Sequence, residues 1–148
     1  MKKYTFLFYL LVAVSTIQAQ SPAIEWQNTI GGTSTEDMRS IAQTSDGGYI
    51  LGGSSYSKNT ADKTENRIGD DDYWIVKVNS AGEIQWDETI GGTGRDNLYV
   101  IQQTPDGGYI IGGESESNAS ADKSENKIGK TDYWIIKFIT ILIKPFLR

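Results

Sequence analysis

Residues 43–54, QTSDGGYILGGS, return sixty positions later as residues 103–114, QTPDGGYIIGGE. Followed outward in both directions without a gap, the match carries residues 26–78 onto residues 86–138, with 30 of 53 positions identical. A fixed period of this length is the signature of a stacked repeat. The chain therefore holds two copies of one supersecondary unit rather than one undivided domain. Trp26/Trp86, Gly31-Gly32/Gly91-Gly92, Gly52-Gly53/Gly112-Gly113 and Asp72-Tyr73-Trp74-Ile75/Asp132-Tyr133-Trp134-Ile135 recur in register with the quoted stretch.

Inside the unit the local signals are strand and turn. Residues 40–44 and 49–54 are short β-prone runs flanking Asp46-Gly47-Gly48, whose glycines can take the positive φ of a tight hairpin. Asp72–Val78 (DYWIVKV) is aromatic and β-branched, Ser80-Ala81-Gly82 supplies a turn, and residues 83–90 (EIQWDETI) put Ile84, Trp86 and Ile90 on one face. No stretch beyond residue 19 sustains a 3.6-residue apolar period, so almost no helix is expected.

Four antiparallel strands per unit, apolar on both faces of DYWIVKV, predict an all-β fold: a partial β-propeller in which each unit is one blade. A two-sheet sandwich and an open β-solenoid are the alternatives that short, evenly spaced strands also fit. Two units do not close a ring, since propellers have about four to eight blades and stacked repeats need about three units. With the usual blade offset, residues 37–92 make one complete blade, while residues 24–32 and 97–137 supply parts of blades on either side. Their unpaired edges predict self-association, instability, or both.

The flanks read differently. Residues 1–19, MKKYTFLFYLLVAVSTIQA, begin with two lysines, continue apolar from Phe6 to Val14 and end in small and polar residues at Ala19, which is the layout of a secretory signal peptide. The apolar core falls well short of the roughly 20 residues of a spanning helix, so no transmembrane span is expected in the mature chain. The expected organisation is a signal peptide (1–19), a repeat region (20–138, with units 26–85 and 86–138) and an apolar tail (139–148). The tail departs from the repeat by replacing the expected turn and closing strand.

Composition removes whole classes of chemistry. Cysteine and histidine are both absent, which excludes disulfides, thiol nucleophiles, Ser-His-Asp triads and histidine acid–base catalysis. The formal charge is −5; without Lys2 and Lys3, 12 basic side chains face 19 acidic ones, or about −7. A chain this acidic is a poor partner for nucleic acid or anionic membranes. The expected partner is an extracellular protein or glycan.

The most polar stretch is residues 57–72 (SKNTADKTENRIGDDD), matched by residues 117–132 (SNASADKSENKIGKTD). Asp62, Glu65, Asp70, Asp71 and Asp72, with Asn66 beside them, are oxygen donors of the kind calcium prefers. They are the candidate metal residues, and calcium is the one candidate cofactor. Their spacing matches no standard calcium loop, and Lys130 and Thr131 replace Asp70 and Asp71 in the second copy, so the plainer expectation is a solvated acidic loop. The four tryptophans (Trp26, Trp74, Trp86, Trp134) and the tyrosines Tyr49, Tyr73, Tyr109 and Tyr133 either pack between sheets or stack on sugars. Their recurrence at strand positions favours the core. No Gly-Lys-Ser/Thr follows the Gly-Gly pairs, so they are not phosphate loops. Only carboxylates remain as acid–base groups and none stands out as a pair, so a non-catalytic protein is expected.

Trp26, Thr29-Ile30-Gly31-Gly32-Thr33, the Gln43-Thr44-x-Asp46-Gly47-Gly48-Tyr49-Ile50-x-Gly52-Gly53 run and Asp72-Tyr73-Trp74-Ile75-x-Lys77 together form a recognisable pattern. It resembles the roughly sixty-residue β-propeller-like repeats of secreted Bacteroidetes-type surface proteins, many of which end in a type IX secretion sorting domain. The resemblance covers residues 25–138. It implies an exported binding or scaffolding module of the cell surface or medium. A truncated piece of a larger secreted propeller protein, and a carbohydrate-binding accessory of a secreted hydrolase, are the alternatives.

Overall fold

The computed structural model describes residues 21–139. The expected signal peptide and residues 140–148 of the expected tail lie outside them. Among the described residues the chain is all-β with no helix, as the sequence predicts. The strands are β1 (Glu36–Gln43), β2 (Tyr49–Ser55), β3 (Asp72–Val78), β4 (Ile84–Ile90), β5 (Asp96–Gln103), β6 (Tyr109–Ser115) and β7 (Asp132–Phe138). They form a four-stranded sheet ordered β1-β2-β3-β4 and a three-stranded sheet ordered β5-β6-β7, antiparallel throughout.

Register repeats with the sequence. Gly53 pairs with Trp74 and Gly113 with Trp134; a bulge between Met38 and Ser40 recurs between Leu98 and Val100. Beyond the expected residues 40–44, β1 also takes in Glu36-Asp37-Met38-Arg39. That polar run has no strand pattern of its own. It is held by pairing with β2 (Glu36↔Ser55, Asp37↔Ser54) and by the Glu36 carboxylate described below.

The hairpin turns follow from their glycines. Gly47 and Gly107 sit at φ +83° and +82°, a region closed to most side chains. The Gly47 N–H donates to Thr44 O at 2.9 Å, and Asp46 Oδ1 accepts from Thr44 Oγ1 and from the Gly48 N–H. In the next position a Cβ on Gly48 would lie 2.3 Å from the Val78 carbonyl oxygen.

The two sheets pack against each other through Ile50, Tyr73 and Ile75 of the first and Leu98, Ile101, Tyr109 and Ile111 of the second. Fully burying a large apolar side chain contributes roughly 1.5–3 kcal/mol. The Tyr73 and Trp134 rings meet at 5.2 Å, and a Cβ on Gly52 would reach within 2.7 Å of Leu98 Cδ2, so the glycine lets the sheets approach. The first sheet's other face carries Trp74, Val76 and Val78, packed by Tyr49, Leu51, Ile84 and Ile30. Residues 24–30 run along this face outside any sheet, with Trp26 at 5.9 Å from the Tyr49 ring.

Candidate functional site: the polar rim

The chain direction sorts the connections. Tight turns at 44–48, 79–83 and 104–108 close one end of the sheets. The longer segments 31–35, 56–71, 91–95 and 116–131 gather at the other. Their backbones join there: Asp62 N–H to Gly31 O (3.1 Å), Asp70 N–H to Gly94 O (3.2 Å), Glu116 N–H to Arg95 O (2.8 Å) and Asp122 N–H to Gly91 O (3.2 Å). The result is one continuous polar rim across both units.

A carboxylate anchors each segment entering a sheet. Glu36 accepts from the hydroxyls of Ser55 (3.0 Å) and Ser57 (2.5 Å) and from the Gly32 N–H (3.1 Å). Its counterpart Asp96, fully buried, accepts from Ser117 Oγ (2.9 Å) and the Gly92 N–H (2.7 Å). Glutamate reaches two serines where the shorter aspartate reaches one, leaving Asp96 Oδ1 unsatisfied.

The five predicted metal residues are distributed, not gathered. Asp62 Oδ2 accepts from the Gly31 N–H at 3.3 Å, and Glu65 Oε2 from the Thr89 N–H at 3.1 Å. Asp72 accepts from the Ile68 N–H (2.6 Å) and the Gly69 N–H. Asp71 is buried with Arg95 Nε at 3.4 Å from its Oδ1, while Asp70 meets the second unit through its backbone. Among the described residues no three acidic side chains converge as a metal-binding group. The carboxylates of Asp62, Glu65 and Asp72 organise backbone, as such groups do when the alternative is an unpaired N–H, whereas both Asp71 oxygens lack a hydrogen-bond donor among the described residues.

The expectation of a solvated loop is corrected in part. Ser57, Lys63, Asp71 and Asp72 are buried. Lys63 Nζ donates to Thr89 Oγ1 and lies 5.9 Å over the Trp74 ring, a cation–π position. Its burial pulls the ammonium pKa down. Burial pushes Asp71 up and Asp72 up to about 6, with the Ile68 and Gly69 N–H bonds opposing the rise at Asp72. At the opposite end, hydrogen bonds from Thr44 and Lys77 hold Asp46 down at about 2. Sequence reading missed the buried Lys63, Lys77 and Lys123; the legible signal was the recurrence in register of Lys63/Lys123 and Lys77/Lys137, although Lys137 itself is exposed.

The aromatics divide. Tyr73, Trp74 and Tyr109 are core, as expected from recurrence, whereas Trp26 is 37% and Tyr133 is 94% exposed. A shallow groove of about 120 Å³, floored by Leu51, Trp74 and Val76 and edged by Glu36 and Asp37, opens on the outer face of the first sheet. No helix among the described residues is long and apolar enough to cross a membrane. No protein-family model matches the chain, and no curated protein matches it.

Proposed function

We propose that this is a secreted, non-catalytic repeat protein of β-propeller type, with an extracellular binding or scaffolding role. What carries the reading is the repeated geometry. Two sheets of one register stack face to face and bring all their long connections to one rim, with the tight turns at the other end. A stack of sheets that presents its long loops on one side is suited to binding a protein or glycan across both units. The rim carboxylates hold backbone N–H groups and serines, which favours binding over acid–base chemistry.

The test has two parts. Expressed with its first residues intact, the protein should accumulate outside the cytoplasm with Gln20 as its new N-terminus by mass spectrometry. On immobilised glycans and surface-protein extracts it should bind without altering the ligand. Retention in the cytoplasm with an intact N-terminus, or turnover of a bound glycan, would overturn the proposal.

A further inference from the structure

The contact between the two sheets has a counterpart sixty residues away on each side, and both counterparts face solvent. In the first sheet Tyr73 and Ile75 are 0% exposed; at the same places in the second sheet Tyr133 is 94% and Ile135 is 67% exposed. In the second sheet Leu98 and Ile101 are buried; at the same places in the first, Met38 is 59% and Ile41 is 54% exposed. The two open surfaces are thus the two halves of a contact that the chain already makes internally.

The strands show the same complementarity. The third strand of the first sheet, β3, is covered by β4, whereas among the described residues nothing pairs beyond β7. Residues 24–30 (IEWQNTI) match β4 (IQWDETI) at four of seven positions yet belong to no sheet. They already lie against the first sheet as β4 lies against the second. Trp26 meets Tyr49 at 5.9 Å as Trp86 meets Tyr109 at 6.1 Å, and the Gly31 N–H reaches Asp62 as the Gly91 N–H reaches Asp122.

We propose that a second copy of this chain docks head to tail, stacking its first sheet on the exposed face of the second sheet and pairing its residues 24–30 with β7 as the fourth strand. The β3–β4 register transfers directly: Tyr73↔Ile90, Ile75↔Glu88 and Lys77↔Trp86 become Tyr133↔Ile30, Ile135↔Asn28 and Lys137↔Trp26 of the second copy. Side-chain chemistry agrees with that register. Lys77 Nζ donates to Gln85 Oε1 at 3.0 Å, and the transferred pair sets Lys137 beside the carboxylate of Glu25. The Trp74 indole N–H donates to Asp87 at 2.9 Å, and the transferred pair offers the Trp134 indole the amide oxygen of Gln27. Tyr73 donates to the Trp134 carbonyl at 3.1 Å, and Tyr133 has the corresponding carbonyl of Trp74 in the second copy. The same docking covers the groove over Leu51 and Trp74. It rests on the sixty-residue relation between the sheets and not on the secreted binding role proposed above.

The chain has no cysteine, so two introduced thiols report the contact without background. Full-length Asn28→Cys and full-length Ile135→Cys alter solvent-facing positions. Mixed and mildly oxidised, they should give a disulfide-linked pair of chains. Gln27→Cys mixed with Ile135→Cys should give about ten-fold less, because one step along a strand turns the side chain to the other face. In light scattering the unmodified chain should exceed the mass of one copy. Tyr133→Asp should return it to one copy with an unchanged circular dichroism spectrum. A monomeric unmodified chain, equal cross-linking in both mixtures, or none in either, as when residues 140–148 cover β7 instead, would overturn the proposal.

Discussion

The Tyr73 hydroxyl donates to the Trp134 carbonyl oxygen across the boundary between the sheets, at 3.1 Å and 61 residues away in sequence. Burial also lifts the phenol well above its ordinary pKa, so the donor stays protonated at every physiological pH. Tyr73→Phe keeps the ring and removes the bond, and should lower stability by about 1 kcal/mol. Tyr133→Phe should cost almost nothing in the isolated chain, since Tyr133 is exposed. Urea unfolding of both variants checks the pair.

Trp74 lies in the apolar layer of the first sheet and donates its indole N–H to Asp87. Trp74→Ala should therefore cost about 3–5 kcal/mol, the range for emptying a buried tryptophan site. Trp26, half out in solvent against Tyr49, should cost clearly less. Equal losses in thermal unfolding would show that residues 24–30 pack more firmly than their exposure indicates.

Adjacent glycines of the first hairpin should fail for different reasons. Gly47 has open space where a Cβ would stand but a φ of +83°, so Gly47→Ala should cost about 1–2 kcal/mol from backbone conformation alone. Gly48 has no such space, its Cβ meeting Val78 O, and Gly48→Ala should cost about 3 kcal/mol through displacement of the neighbouring strand. Chemical denaturation of the two single variants separates the effects.

Buried Asp72 makes stability depend on pH in an unusual direction. Its folded pKa, near 6, stands above the unfolded value of 3.8, so the folded chain binds the extra proton between those values. Stability should fall as pH rises from about 4 to about 6, by about 3 kcal/mol for two pKa units. Buried Asp71, also shifted upward, adds in the same sense. Asp46, held down near 2, acts in the opposite sense: the stability it gives is present above about pH 4 and is lost as pH falls towards 2. Asp72→Asn should flatten the slope between pH 4 and 6, measured as unfolding free energy against pH.

Much of this architecture is legible in the sequence. Asp-Gly-Gly marked the hairpins because positive φ leaves few residue choices, and DYWIVKV and DYWIIKF marked β3 and β7 because aromatic and β-branched side chains favour strands; both faces of β3 are buried, whereas β7 leaves Tyr133 and Ile135 exposed. The start of β1 was not legible: Glu36-Asp37-Met38-Arg39 has no alternation and is strand only through its partners. Nor was the interior of residues 57–72, where charge along the sequence suggested water. Lys63 and Asp72 are buried because an aromatic ring, a hydroxyl and two backbone N–H groups replace that water, and those partners lie elsewhere along the chain or in the backbone.

The sheets of four and three strands, together with one strand-like segment outside both, add up to two complete sheets per chain when copies join as proposed. Assemblies of this kind have a parity. A ring closed only from these paired sheets, joined as proposed, would hold an even number of them, so two, three or four pairs would fall within the about four to eight blades of propellers. Head-to-tail contacts that fail to close within that range continue as an open fibre, and the curvature between successive sheets decides which of the two forms.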